Sequence, residues 1–164
     1  KLFFLPIGIA NSQWEHGYKF TNFYNTLSNK TQLNKKLKSI YFFFAINTNK
    51  EKRINCYNSV IKKITFLNKI SPYENFKRLS EYEFCICPAG NGVDTHRFWE
   101  ALYLKVIPIV DRNVTTEYFS KFFPMVLIDD WNNFNLEDVT GIYESANWSN
   151  YYLLDFDLFI KKFL

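Results

Sequence analysis

Phe84 to Val110 reads FCICPAGNGVDTHRFWEALYLKVIPIV, and the order of its parts decides the fold. Phe84-Cys85-Ile86-Cys87 is a short apolar run, Gly90-Asn91-Gly92 is turn chemistry, and Asp94 or Thr95 can cap a helix carrying Arg97 and Glu100. A second apolar run follows at Val106-Ile107-Pro108-Ile109-Val110. Two apolar strands joined by a helix form a parallel crossover, because parallel strands need a connection long enough to return across the sheet. The crossover brings the end of the first strand and the start of the helix to one sheet edge, where open α/β folds bind nucleotides.

Outward from this unit the alternation continues. Residues 40–46 (IYFFFAI) are a continuous aromatic and β-branched run, the pattern of a strand buried on both faces. Asn47-Thr48-Asn49 supplies cap-type side chains for a helix over 50–64, in which Ile54, Tyr57, Val60, Ile61 and Ile64 recur at helical spacing. Ser71-Pro72 starts a helix through about Tyr82. Strands are expected at 84–88, 106–110 and 125–128, and helices at 95–104, 115–122, 136–143 and 151–164. Residues 2–10, with Pro6 and Gly8 inside an apolar run, fit an edge strand or an interdomain lead-in, and a polar, aromatic stretch over 11–25 follows, of which 11–17 reads as a loop. The expected fold class is α/β, a Rossmann-like parallel sheet flanked by helices, in a single domain over 1–164 with residues 1–36 as the lead-in.

The chain has 164 residues, enough for one domain with a real core, and 48% of them are hydrophobic, which excludes a disordered chain. A net charge of +4 with scattered lysines mildly favours an anionic ligand but lacks the concentrated basic stripe of a nucleic-acid surface. The runs Lys35-Lys36-Leu37-Lys38 and Lys62-Lys63 read as solvated faces. The cysteines are three in number, and Cys85 and Cys87 share one face of a strand, a poor arrangement for a mutual disulfide, so buried free thiols are expected. The sequons at Asn29, Asn113 and Asn147 read as chance in an Asn-heavy chain. No apolar run approaches the roughly 18 to 20 residues of a membrane span. The chain opens on Lys1-Leu2-Phe3-Phe4 rather than Met, which leaves room for a preceding domain or targeting segment.

Chemistry concentrates at the sheet edge. Gly90, Asn91 and Gly92 let backbone amides approach a phosphate, although such a turn also serves as an ordinary connection. Arg97 adds a planar cation in the first helical turn, and Glu100, on the same face, can accept two neighbouring ribose hydroxyls. The competing reading is an Arg97 to Glu100 ion pair, against which stands the apolar setting Phe98-Trp99-x-Ala101-Leu102. Asn47, Thr48, Asn49 and Arg53 follow the neighbouring strand and either face the same cleft, with Arg53 on a phosphate, or serve locally, with Asn47 or Thr48 capping the helix and Arg53 in solvent. His16, in the loop Asn11-Ser12-Gln13-Trp14-Glu15-His16-Gly17, is a candidate base or a structural residue of that loop, and His96 reads as a surface or ligand-edge residue of the first helical turn rather than a base; neither has a visible triad partner. No His/Cys cluster points to zinc, and Asp129-Asp130 reads as a strand-end turn.

The stretch CPAGNGVDTHRFWEALYLKVIPIV resembles the donor-binding motif of exostosin-like glycosyltransferases, with Arg97, Glu100, Ala101, Leu102, Ile107, Pro108 and Val110 at the places of the Arg-x-x-Glu-Ala-Leu helix and the Ile-Pro-Ile-Val strand. FFFAINTNKEKR and LPIGIANSQWEHG are similar to further segments of that group. The resemblance implies the C-terminal half of a two-domain GT-B enzyme that binds a nucleotide-diphosphate sugar, most plausibly UDP-linked, and transfers the sugar with inversion to a hydroxyl of a glycan or other acceptor. It implies Arg97 near the diphosphate and Glu100 near ribose or sugar, and the sheet-edge residues Gly90, Asn91, Gly92, Asp94, Thr95, Asn47, Thr48, Asn49 and Arg53 are the further candidates for the donor site. It implies no metal and no further cofactor, an acceptor domain and base largely in a missing N-terminal half, and either a cytoplasmic or a Golgi-luminal setting. A nucleotide-sugar-binding domain without catalysis and a protein-interaction domain are the alternatives.

Overall fold

The computed structural model describes residues 4–27, 36 and 38–163. Four parallel strands, β1 (Lys38–Tyr41), β2 (Tyr82–Ile86), β3 (Ile107–Asp111) and β4 (Val126–Ile128), lie side by side in chain order. Register is fixed by pairs such as Ile40 with Phe84, Phe84 with Ile107, and Ile109 with Val126. Helices cover both faces, as an all-parallel sheet requires. On one face pack α1 (Glu15–Thr26), α3 (Pro72–Ser80), α4 (His96–Tyr103), α5 (Val114–Phe119) and α7 (Phe156–Phe163). The other face is covered by α2 (Lys50–Val60), two 3-10 turns around Trp131 and Val139, and α6 (Ile142–Ser145). The Rossmann-like layering expected from the alternation is present.

Side-chain alternation sorts the aromatic surplus between these faces. Tyr41, Cys85 and Cys87 enter the α4 side, whereas Ile40, Phe42, Phe44, Phe84 and Ile86 enter the α2 side. Most aromatics therefore lie in these cores or pack against them, and Phe20, Phe42, Phe76, Phe98, Phe119 and Phe134 are buried. Cys85 and Cys87 are free buried thiols with their sulfurs 3.4 Å apart, as the shared face requires.

Local chemistry explains where elements begin. The Ser71 hydroxyl accepts from the Glu74 amide with Pro72 in the first turn of α3, Thr95 accepts from the Phe98 amide at α4, and Asn113 closes a capping box at α5. Asp130 accepts from the Asn132 amide, so Asp129-Asp130 is the turn that its sequence indicates, with Asp129 paired to Arg112.

Several expectations are corrected. The loop expected over 11–17 ends at Trp14, because residues 15–26 form α1, whose Phe20 and Phe23 rings pack on Phe76 of α3. Residues 4–10 form no strand. The 40–46 strand starts earlier and leaves the ladder after Tyr41, where the Phe42 carbonyl accepts from Leu67 instead. The helix expected over 136–143 breaks at Gly141, which takes φ +75°. The terminal helix is likewise split: Asp155 ends a 3-10 turn and its carboxylate accepts from the Asp157 and Leu158 amides to start α7. No side chain caps α2, whose N-cap Asn49 sits in the left-handed region at φ +49°.

Lys36 departs from its solvated reading. Its ammonium donates to the carbonyls of Ser80 at 2.8 Å and Leu104 at 2.7 Å, clasping the C-terminal ends of α3 and α4. Burial, aided by the Lys105 charge, pulls its pKa down to about 7. Lys35, Leu37 and the Asn29 sequon lie outside the described residues, as do positions 1–3 of the lead-in and Leu164. Among the described residues no helix is long and apolar enough to cross a membrane.

Candidate functional site

The eight-residue α4 presents Arg97 and Glu100 inward, one turn apart on the face that lies on the sheet. Glu100 is 1% exposed. A carboxylate that deep is costly unless opposed, and the Arg97 cation and a ring nitrogen of His16 oppose it. Arg97 Nε lies 3.3 Å from Glu100 Oε2, and His16 Nε2 lies 2.6 Å from Oε1. Burial pushes the Glu100 carboxyl up, but the Arg97 charge and the His16 hydrogen bond outweigh it and hold its pKa below the ordinary range, so the group is ionised. Burial acts against the Arg97 cation as well, and the Glu100 charge, together with smaller contributions from Cys85, Tyr41 and Cys87, outweighs it.

The network continues behind Arg97. The Asn75 amide is oriented so that its oxygen accepts from Arg97 Nη2 at 2.8 Å and Nη1 at 3.2 Å, while its nitrogen faces the Tyr41 hydroxyl. The guanidinium also stands 5.7 Å from the Tyr41 ring centre. Tyr41 is held neutral, its pKa pushed up to about 12 by burial. The Cys87 thiol is also kept protonated by burial and by its neighbour Cys85. Chemically, the set is one buried carboxylate balanced by an arginine within the protein and by a histidine toward solvent. Among the described residues no hydrogen bond fills the acceptor position of Glu100 Oε2.

His16 reaches this carboxylate because of a glycine. A Cβ on Gly17 would fall 2.2 Å from the Ala10 carbonyl oxygen and 2.3 Å from that of Asn11, so only Gly lets the first turn of α1 lie directly on the preceding chain. Asp94 ties that chain to the glycine loop: its Oδ2 accepts from the Ile7 amide at 2.9 Å and from Trp99 Nε1 at 3.0 Å. His96 adds a third tie, donating from Nδ1 to the Gly8 carbonyl at 2.8 Å. Between these parts lies an open cleft of about 740 Å³ lined by Ile7, Ile9, Ala10, Asn11, Trp14, His16 and His96. Its volume falls within the usual range of small-ligand sites.

The glycine loop accounts for its amides only in part. The Ala89 amide donates to Asp111 Oδ2 at 2.7 Å and the Gly90 amide to the Gly92 carbonyl at 3.1 Å, so neither points at a ligand. Asn91, Gly92 and Val93 are exposed, and with the first turn of α4 they form the accessible amide surface. Thr95 is the helix cap, and Asp94 is an anchor for the N-terminal segment.

Arg53 and Asn49 are placed beside this loop but face into it. Arg53 is 8% exposed, and donates from Nε to the Ala89 carbonyl at 3.1 Å and from Nη1 to the Ala45 carbonyl at 2.6 Å. Asn49 donates from its amide to the Gly90 carbonyl at 2.8 Å. Both rivet the ends of β1 and β2 together. Asn47 is exposed and Thr48 half-buried, and neither caps α2.

The structure thus brings Arg97, Glu100 and His16 into one network, with Asn91 and Gly92 nearby in the chain, and assigns Asn49, Arg53 and Asp94 internal partners. The ribose role expected of Glu100 meets a carboxylate whose Oε1 is already committed to His16. Missed in the sequence were Asn75 and Tyr41, which carry no motif, and the cleft itself, built from a segment 80 or more positions from α4 in the chain. Gly17 directly after His16 was the available signal. Among the described residues no group of three or more His, Cys, Asp and Glu side chains is placed to hold a metal ion. The chain matches no protein-family model and no curated protein.

Proposed function

We propose that the chain is the donor-binding domain of a glycosyltransferase of the GT-B architecture, related to the exostosin-like enzymes. It takes a nucleotide-diphosphate sugar, UDP-linked, and passes the sugar with inversion to a hydroxyl of a glycan acceptor. The observation that carries this reading is a juxtaposition: the exposed Asn91-Gly92-Val93 turn, the start of α4 and a cleft of about 740 Å³ meet at the C-terminal edge of a parallel sheet. Amides of a loop and helix start favour a diphosphate there, and the buried Arg97 adds to the positive potential. In this architecture the acceptor is held largely by a second domain.

A second reading draws on the wall of the cleft, where Ile7 and Trp14 are large apolar side chains left exposed. Such a surface also suits a protein-interaction domain, or a nucleotide-sugar-binding domain without catalysis. Thermal stabilisation by a panel of nucleoside diphosphates and their sugars separates the nucleotide-binding readings from the interaction domain. The expected result is a saturable upward shift with one nucleotide. A folded chain that shifts with none of them would favour the interaction domain.

A further inference from the structure

Both histidines on the cleft have their tautomers dictated by what they touch. The partner of His16 Nε2 is an ionised carboxylate oxygen, which can only accept, so Nε2 carries the proton and Nδ1 of the neutral ring bears the lone pair. The partner of His96 Nδ1 is the Gly8 carbonyl, which also only accepts, so there the lone pair is on Nε2. Among the described residues neither lone-pair nitrogen has a hydrogen-bond partner. The two rings differ in what stands behind them. His96 leans on a neutral carbonyl, whereas His16 leans on a buried, charged carboxylate that stabilises the imidazolium formed when the ring takes a proton.

We propose that His16 is the general base of the transfer, with Glu100 as its positioning residue, and that the substrate it deprotonates is a sugar hydroxyl bound in the cleft. This rests on the donor-site reading above. The His16 side chain is 43% exposed and lines the cleft, while its carboxylate is sealed at 1%, so the ring meets an acceptor and the charge does not meet water. Phe76 stands 5.1 Å away edge-on and holds the ring in place. Trp14, two residues earlier, lines the same cleft with 71% of its surface exposed, a flat apolar face of the kind on which a sugar ring rests.

In the step, the acceptor hydroxyl oxygen bonds to the anomeric carbon of the donor as the bond from that carbon to the β-phosphate oxygen breaks. The electron pair leaves with the nucleoside diphosphate, and the hydroxyl proton passes to His16 Nδ1. Glu100 keeps the proton on Nε2 throughout, which leaves Nδ1 as the only nitrogen free to accept.

The test uses the purified, unsubstituted chain with UDP-glucose, UDP-galactose, UDP-N-acetylglucosamine and UDP-glucuronic acid as probes, recording donor binding and, with mono- and disaccharide acceptors present, UDP release. His16→Gln is expected to bind the donor with unchanged affinity and to release UDP about 10²- to 10⁴-fold more slowly. Glu100→Gln, which keeps the acceptor and removes the charge, is expected to slow release without weakening donor binding. Ring ¹⁵N resonances of the unsubstituted chain should show His16 protonated on Nε2 and bare on Nδ1. Donor binding with no UDP release, release that survives in His16→Gln, or a proton on Nδ1 would each overturn the proposal alone. Absence of donor binding by the unsubstituted chain would overturn the donor-site reading and the base role with it.

Discussion

Two arginines stand at adjacent strand ends, and their surroundings divide the molecule into a structural and a chemical half. Arg53 is balanced by neutral carbonyls of Ala45 and Ala89, with Asn49 on Gly90 beside it, and these bonds close the β1 and β2 ends on each other. Arg97 is balanced by a full charge, Glu100, which in turn reaches His16 on the cleft. Neutral partners fix geometry, whereas a buried charge pair also transmits to whatever touches it. The same residue type at two strand ends therefore does different work, and the difference comes from one helical turn of spacing between Arg97 and Glu100.

The largest expected effect lies in the charged half. Glu100→Ala leaves Arg97 buried without its counter-charge and should cost about 3–5 kcal/mol in urea unfolding. Replacing the pair together, Arg97→Met with Glu100→Leu, should cost less than Glu100→Ala alone, because no uncompensated charge remains; equal or greater loss would mean that the pair is not the unit described. Acid sharpens the point. The folded-state pKa of Glu100 is depressed, so its stabilising contribution is complete above the ordinary carboxylate range and is lost as pH falls through the folded value. Stability measured from pH 6 down to pH 3 should accordingly fall more steeply in the unsubstituted chain than in Glu100→Gln.

Next comes the neutral half. Arg53→Met retains the aliphatic stem but strands two carbonyls, at an expected cost of about 2–3 kcal/mol. Its effect on donor binding should be indirect, following stability, and a loss of binding at unchanged melting temperature would move Arg53 into the site. Gly17→Ala is expected to cost about 1–3 kcal/mol by pushing α1 off the Ala10-Asn11 backbone. Gly90→Ala should cost less, since the atom that its Cβ would meet at 2.9 Å is the end of the Arg53 side chain rather than backbone. Reversal of that order would show that the loop, not the α1 contact, is the rigid element.

The effect least tied to either arginine belongs to Lys36, which binds the C-terminal ends of α3 and α4. Its folded pKa of about 7 lies below the unfolded value of about 10.4, so between these the unfolded chain binds the extra proton and stability rises with pH. The difference in unfolding free energy between the unsubstituted chain and Lys36→Met should shift in favour of the lysine from pH 7 to pH 10. A flat difference would place the ammonium in solvent.

Sequence reading found the parallel sheet because apolar runs such as Ile107–Val110 and caps such as Ser71 and Thr95 are local signals. It missed α1, whose sequence EHGYKFTNFYNT has little apolar periodicity and is held by Phe20 and Phe23 against α3, a tertiary effect. The Arg97 and Glu100 spacing was legible as a pair. Their partners were not: Asn75, Tyr41 and His16 join them only through packing between α1, α3 and β1. Arg53 and Lys36 were misread for one reason, that a long cation looks solvated in sequence until a backbone carbonyl is found for each of its donors.

The central claim, that a nucleotide diphosphate rests on the glycine loop and the start of α4, is tested most directly by amide hydrogen exchange of the chain with and without saturating UDP. Slowed exchange confined to Asn91–Arg97 and the facing cleft residues, with the Arg53 side of the β1 end unchanged, is the predicted result. Protection elsewhere, or none at any concentration of UDP, would contradict it.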